Sequence, residues 1–340
     1  MSRARDTANT QDNVGGAVAP YVAGKNKIIN GDFGVWQRGT SFTATGATTY
    51  TADRFINYYN SSPTVTVSRQ SFTAGELTAA TSPYYYRFAQ TTAGTGMTYS
   101  SLCAQFVEDV RTLQGTVTFS FYAKSSISTT KLAVGIFQVF GTGGSSTNFQ
   151  YSANDVSIST SWQRYSVTLT LDSLSGKTIG ANSCLQPSIE FAATSRNVVQ
   201  TVDIWGEQLE AGSVATPFTT ASGSIGGELA LCQRYYWRMG GKNAYEPLAQ
   251  GNTTGTTAGY AAVKSPATMR IVPTSIDYST IGVAPLGSAP VAITSATIGG
   301  CNNDLLLISF GGTGFAAANT QIYVTANNST SAYLGFNAEL

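Results

Sequence analysis

The sequence predicts an all-β protein of two β domains joined by a short helix, and three observations lead there. Charged residues make up only 11% of the 340 positions, against about 25% in an average soluble domain, so the helix formers Glu and Lys are scarce. Thr, Val, Ile, Tyr and Phe, which suit a pleated and half-buried surface, recur in short runs. Those runs are separated by turn chemistry such as GTGGSS at Gly141–Ser146 and SLSGK at Ser173–Lys177.

Residues 1–26 are polar and Gly-rich without periodicity, so they cannot bury a face of their own. Arg3, Arg5 and Asp6 cluster near the start. The segment reads either as an arm that orders against a neighbour or as a terminus without a role. Residues 27–220 form the first β domain. Its strands include KIING, TVTVSRQSF, YYYRFAQT, GTVTFSFYAKSS, KLAVGIFQVFG, QRYSVTLTL, QPSIEFAA and TVDIWGEQLE. Alternation in Thr116–Ser120 and Tyr165–Leu171 sets one face to a core and the other to solvent. Several short strands at this spacing make a sandwich or a barrel.

Residues 221–241 form a linker with the helix candidate Glu228–Met239, ELALCQRYYWRM. Leu229, Cys232, Tyr236 and Met239 make its stripe, and Leu231 and Tyr235 widen it. Gly240 and Gly241 are placed to stop it. Residues 242–340, with AGYAAVKS, APVAITSATI, DLLLISFGG, TQIYVTANN and AYLGFNAEL, read as a second, smaller β domain.

Net charge is +1, so no long-range field draws nucleic acid or an anionic membrane. No apolar run approaches the roughly 20 residues that span a bilayer, and residues 1–27 lack the apolar stretch of a signal peptide. The expectation is a soluble chain not exported by the general pathway, without membrane insertion. Cys103, Cys184, Cys232 and Cys301 are widely spaced without a C-x-x-C pair, and there is no histidine. Buried free thiols fit this pattern, as in a protein assembled in a reducing cytoplasm. No histidine is present to complete a zinc set or a Ser–His nucleophile, and no cofactor is implied.

Six blocks carry a family resemblance: Lys27–Phe42 (KIINGDFGVWQRGTSF), Thr51–Phe55 (TADRF), Val117–Ser126 (VTFSFYAKSS), Thr160–Leu171 (TSWQRYSVTLTL), Ile204–Phe218 (IWGEQLEAGSVATPF) and Gly227–Arg238 (GELALCQRYYWR). With them the chain resembles bacteriophage tail-fibre and tail-appendage proteins that contain a carbohydrate-binding-module-like jelly roll. The resemblance implies a jelly-roll β-sandwich, the linker helix and a second, smaller β-sandwich domain. It fades after Gly240, where only a loose MRxxP element at Met269–Pro273 remains.

It also implies a structural virion protein, a tail fibre or receptor-binding subunit, assembled in the host cytoplasm and located on the virion. The 1–26 arm, with Arg3, Arg5 and Asp6, is the expected attachment to other virion proteins. A head fibre or connecting appendage without a glycan role fits as well, and a polysaccharide depolymerase fits less. No G-x-S-x-G elbow, β-helix repeat or recognisable acidic pair supports catalysis, so the expectation is no enzyme.

A host-surface glycan is the expected ligand. Tyr84, Tyr85 and Tyr86 are its candidate platform, since alternate rings of a strand face opposite sides. Trp36, Trp162 and Trp205 read as core packing. A homo-oligomer is expected, a trimer first, with Leu229, Leu231, Tyr235 and Tyr236 as its interface; packing of that helix on its own sandwich is the equal alternative. Related jelly rolls often hold calcium near their first and last strands, and Asp32, Asp203 and Glu207 are the candidates. Ordinary surface carboxylates explain them better, and no metal is assigned.

Overall fold

The computed structural model describes residues 23–340, so Arg3, Arg5 and Asp6 lie outside the described residues. The chain divides into two compact units, Met1–Glu228 and Leu229–Leu340.

Unit 1 contains β1 (Ser41–Ala44), β2 (Thr49–Tyr50), β3 (Phe55–Tyr59), β4 (Val65–Ser71), β5 (Tyr84–Gln90), β6 (Ser100–Gln105), β7 (Val107–Glu108), β8 (Thr116–Ser125), β9 (Lys131–Val139), β10 (Asn148–Tyr151), β11 (Val156–Ser157), β12 (Gln163–Thr170), β13 (Cys184–Phe191) and β14 (Gln200–Ala211). They form two antiparallel sheets. The first has the order β1-β4-β5-β14-β8-β12, and the second β10-β9-β13-β6-β3-β2, with β7 on β13 and β11 on β9. This is the jelly-roll sandwich the sequence predicts.

Strand alternation builds the core between the sheets. From the first sheet come Val67, Tyr86, Phe88, Val117, Phe119, Phe121, Val202 and Ile204; from the second, Phe55, Leu132, Val134, Ile136, Leu185, Ile189 and Phe191. The intervening residues face outward and make two outer faces of different character.

The first and last parts of unit 1 are stitched together: Lys27 N donates to Leu209 O at 2.9 Å, and Glu207 N to Gly31 O at 2.9 Å. Asn26, expected to end the arm, belongs to the sandwich. Its side-chain amide donates to Glu207 O and Thr219 O, and its Oδ1 accepts from Ile28 N and Leu209 N. Four hydrogen bonds on one buried side chain move the edge of the folded domain N-terminal to residue 26.

The helix is shorter and earlier than its sequence pattern suggests. α1 spans Ile225–Gln233 and is capped by Ser224, whose Oγ accepts from Gly227 N at 3.1 Å. Tyr236–Gly240 instead forms β15 and pairs with Tyr333–Asn337, β23. A strand partner almost a hundred residues away overrides the local helical stripe.

In unit 2, β15 joins β16 (Pro247–Gly255), β17 (Ala258–Lys264), β18 (Ser275–Ser279), β19 (Ile281–Ala284), β20 (Val291–Ile298), β21 (Leu305–Gly312), β22 (Gln321–Ala326) and β23. The second, smaller β domain takes the form of a closed barrel, β16-β17-β21-β20-β19-β22, with a three-stranded sheet β15-β23-β18. Closure removes exposed sheet edges from the barrel. Ile308, Leu306, Val324, Leu334, Phe336 and Met269 of the MRxxP element pack its core.

Candidate glycan-binding cleft

The outer face of the second sheet holds a cleft of about 420 Å³ lined by Tyr58, Tyr99, Phe137, Phe149, Tyr151 and Glu190. Strand register assembles it. Phe149 and Tyr151 alternate on β10 and sit opposite Phe137 and Gly135 of β9. Gly135 makes the close approach possible: a Cβ there would stand 2.5 Å from the Tyr151 ring and 2.7 Å from Gln150 O. On β13, Leu185, Ile189 and Phe191 point into the core, so Gln186, Ser188 and Glu190 face outward beneath the rings. Tyr58 comes from β3, and Tyr99 from the turn before β6.

The rings form two groups with Glu190 between them. Phe137, Phe149 and Tyr151 contact one another at centroid distances of 5.7–5.9 Å; Tyr58 and Tyr99 pair at 6.1 Å. Phe149 is 60% exposed and Tyr99 45%, whereas Glu190 is 4% exposed. Large apolar rings left in water on a sheet face are costly unless something covers them.

Polar groups fix the floor. Tyr151 OH donates to Glu190 Oε1 at 3.1 Å, and Ser188 Oγ to the same oxygen at 3.2 Å. Gln186 Nε2 donates to Tyr58 OH at 2.9 Å, and Ser101 shares a hydrogen bond with Ser188 at 3.0 Å. Glu190 Oε2 takes no hydrogen bond from the described residues. Burial raises the pKa of the Glu190 carboxyl, opposed by the hydroxyls of Tyr151 and Ser188 and by Arg196. Burial and Glu190 also push up the Tyr58 and Tyr151 phenols, so both stay protonated donors.

The expected tyrosine platform lies elsewhere. Tyr86 is fully buried in the sandwich core and donates to Leu102 O at 2.8 Å. Tyr85 faces outward from the first sheet but is buried against Phe72 and Trp162. Tyr84 is half-buried beneath Arg69, whose guanidinium stands 4.1 Å from its ring. The YYY run does alternate between faces, but the inward face is the core and the protein's own side chains cover the outward one.

The expected interface set does not share a surface either. Leu229 is exposed on α1 and Leu231 is half-buried, whereas Tyr235 and Tyr236 follow the helix and are buried. Tyr236 OH donates to Asp277 Oδ2 at 2.6 Å.

The three calcium candidates point to different places. Both Asp203 oxygens accept from Arg87, at 2.7 and 2.9 Å. Glu207 is no surface carboxylate: a bulge in β14 with Gly206 at φ 68° inverts the alternation and turns Glu207 into the core beside Cys103. Burial there pushes its carboxyl up to about 8. Asp32 is raised to about 6, by burial and then by Glu228. Among the described residues no three His, Cys, Asp or Glu side chains converge as a metal set. The four cysteines carry thiols rather than disulfides, with Cys103, Cys184 and Cys232 buried and Cys301 half-buried.

No protein-family model matches the chain, and no curated protein matches it. Among solved structures it is similar to the CBM22-1 xylan-binding domain of Paenibacillus barcinonensis Xyn10C, with 12% identity, 57% of this chain and 98% of that one, and a TM-score of 0.34. Similarity to TmCBM61 in complex with β-1,4-galactotriose covers 55% and 99%, with 11% identity and a TM-score of 0.31. Similarity to the enzymatically active domain of bacteriophage CBA120 tailspike protein 4 covers 55% of this chain but only 21% of that one, with 12% identity and a TM-score of 0.34.

Proposed function

We propose that unit 1 is a glycan-binding module and that the chain is a non-enzymatic adhesion subunit displayed on a phage particle. The observation that carries the binding reading is the cleft on the second sheet, with exposed rings on both sides of a buried carboxylate. Aromatic faces stack on sugar rings, and a carboxylate oxygen accepts from sugar hydroxyls. From β10 to β3 the cleft crosses four strand spacings, about 19 Å at 4.8 Å each, which accommodates a short oligosaccharide laid across the strands.

Binding suits the cleft better than hydrolysis. Glycoside cleavage generally uses two carboxylates flanking the bond, and Glu190 is the single carboxylate among the lining residues. Display on a tail fibre rests on the sequence resemblance, the trimeric state on the apolar face read from the linker-helix sequence, and attachment through the 1–26 arm on its polar, Gly-rich composition together with the resemblance. One site of this kind is weak, and multivalent display on a particle makes it effective.

Binding is tested by screening the purified protein against host-surface oligosaccharides, then titrating the best ligand into Tyr151→Ala and Phe149→Ala. Each variant should bind about 10-fold more weakly, because one ring contributes roughly 1–1.5 kcal/mol. Unchanged affinity in both variants would remove the cleft from the binding reading. For the particle, a chain starting at Ala23 should bind glycan but not join virions; incorporation at normal copy number would assign attachment to the β domains.

A further inference from the structure

We propose that the cleft selects an uncharged stretch of glycan, one sugar hydroxyl donating to Glu190 Oε2, and rejects hexuronate- and sialate-containing chains. This deepens the glycan-binding reading and rests on it.

The selection follows from donors and acceptors. Glu190 Oε1 already accepts from Tyr151 OH and Ser188 Oγ, while Oε2 has no partner among the described residues and belongs to a side chain lining the cleft. An ionised carboxylate has acceptor sites only. A hydroxyl satisfies Oε2, whereas a ligand carboxylate brings a second acceptor and a second negative charge.

Nothing on the cleft wall offsets that charge. The lining residues are five aromatics and Glu190, without a lysine or arginine. The groups that act on Glu190 are the Tyr151 phenol from β10, the Tyr58 phenol from β3 and the Arg196 guanidinium beyond β13. Both phenols are neutral donors or acceptors. Arg196 keeps its positive charge but lies outside the cleft lining, its Nε donating to Phe191 O at 3.1 Å. A ligand anion over the cleft therefore meets Glu190 behind a low-dielectric aromatic surface, where like charges repel more strongly than in water.

The experiment is an array of immobilised oligosaccharides containing neutral hexoses and pentoses, N-acetylhexosamines, hexuronates and sialates, probed with the intact chain at neutral pH. The bound set should be neutral, with hexuronates and sialates at least about 10-fold weaker. Strong binding of hexuronates or sialates would overturn the selection while leaving glycan binding in place. Binding to no oligosaccharide would overturn both.

Two further readouts locate the selection at Glu190. Glu190→Gln should weaken the best neutral ligand by about 10-fold, as a charge-assisted acceptor is lost, and should narrow its advantage over the matching uronate. In the wild type the same advantage should shrink as pH falls and Glu190 gains a proton, Tyr58, Tyr151 and Arg196 keeping their charge states. An advantage independent of pH would overturn the assignment to Glu190 even if the variant failed to fold.

Discussion

On the outer face of the first sheet, Tyr85, Trp162, Trp205, Arg87, Lys124 and Asp203 stand side by side; on the outer face of the second stand Tyr58, Phe137, Phe149, Tyr151 and Glu190. The residue classes overlap, but on the first face the rings are covered by the chain itself. Arg87, Lys124 and Asp203, which border a cleft of about 430 Å³, are paired with one another and with Glu76. Phe72 packs on Tyr85, Trp162 and Trp205, and Phe218 on Trp205 at 4.7 Å. Glu76 accepts from Lys124 Nζ at 2.7 Å and from Trp162 Nε1 at 2.9 Å, and Asp203 uses both oxygens on Arg87. On the second face Phe149 and Tyr99 remain open and one carboxylate oxygen is unused. Aromatic and charged content alone therefore does not separate the two faces; what separates them is whether other parts of the chain have already satisfied those groups.

The sharpest way to break this contrast is Gly135→Ala. The added Cβ would overlap both the Tyr151 ring and the backbone oxygen of Gln150, so β10 must move and carry Phe149 with it. Misplacing two rings should reduce glycan affinity by roughly 100-fold, and the crowding should cost about 1–3 kcal/mol of stability. Titration and thermal unfolding of the same preparation check both. Wild-type affinity in this variant would mean that the rings need not lie on the sheet.

The converse test is Asp203→Ala on the covered face. It leaves Arg87 and Lys124 without their buried partner and should destabilise unit 1 by about 1–3 kcal/mol. That is below the range for a fully buried pair, because the Arg87 side chain is 33% exposed. Glycan affinity should not change. A parallel loss of affinity would show the two faces to be coupled across the sandwich.

The sequence disclosed the strands and their alternation well, because period-two patterning is local. The YYY run at Tyr84–Tyr86 showed that successive rings face opposite ways, but not that the outward ring would lie under Phe72. That depends on a loop whose path is set by long-range packing. The cleft draws on β3, β9, β10, β13 and the turn before β6, from Tyr58 to Glu190, so no single window contains it. Two local signals were nevertheless present: the mid-strand glycine in KLAVGIFQV, a sign of close approach, and the alternating Phe149 and Tyr151 of NFQY. Glu207 was hidden for another reason. A bulge at Gly206 shifts the alternation by one residue, so strict counting along IWGEQLE does not disclose the side on which a given residue falls.

The smallest expected effect separates the two faces by the sign of their pH dependence. On the covered face Glu76 is held down to about 2, chiefly by the hydrogen bond from Lys124. A lowered folded-state pKa contributes stability above the ordinary value of 4.5 that is lost as pH falls toward 2. On the open face Glu190 is raised, chiefly by burial. Its contribution is full below 4.5 and is lost as pH rises through its raised pKa. Glu207 in the core follows the same sign over a wider window, from 4.5 to about 8, with a slope of up to about 1.4 kcal/mol per pH unit. It therefore dominates the raw profile, and the face terms emerge only as differences between wild type and variant. The wild-type advantage over Glu76→Gln should shrink toward acid, whereas the comparison with Glu190→Gln should slope the opposite way, growing more favourable to the variant as pH rises. Denaturant unfolding between pH 3 and 8 measures both differences. Equal slopes would mean that Glu190 is as well satisfied as Glu76, and the open carboxylate oxygen would then no longer distinguish the second face from the first.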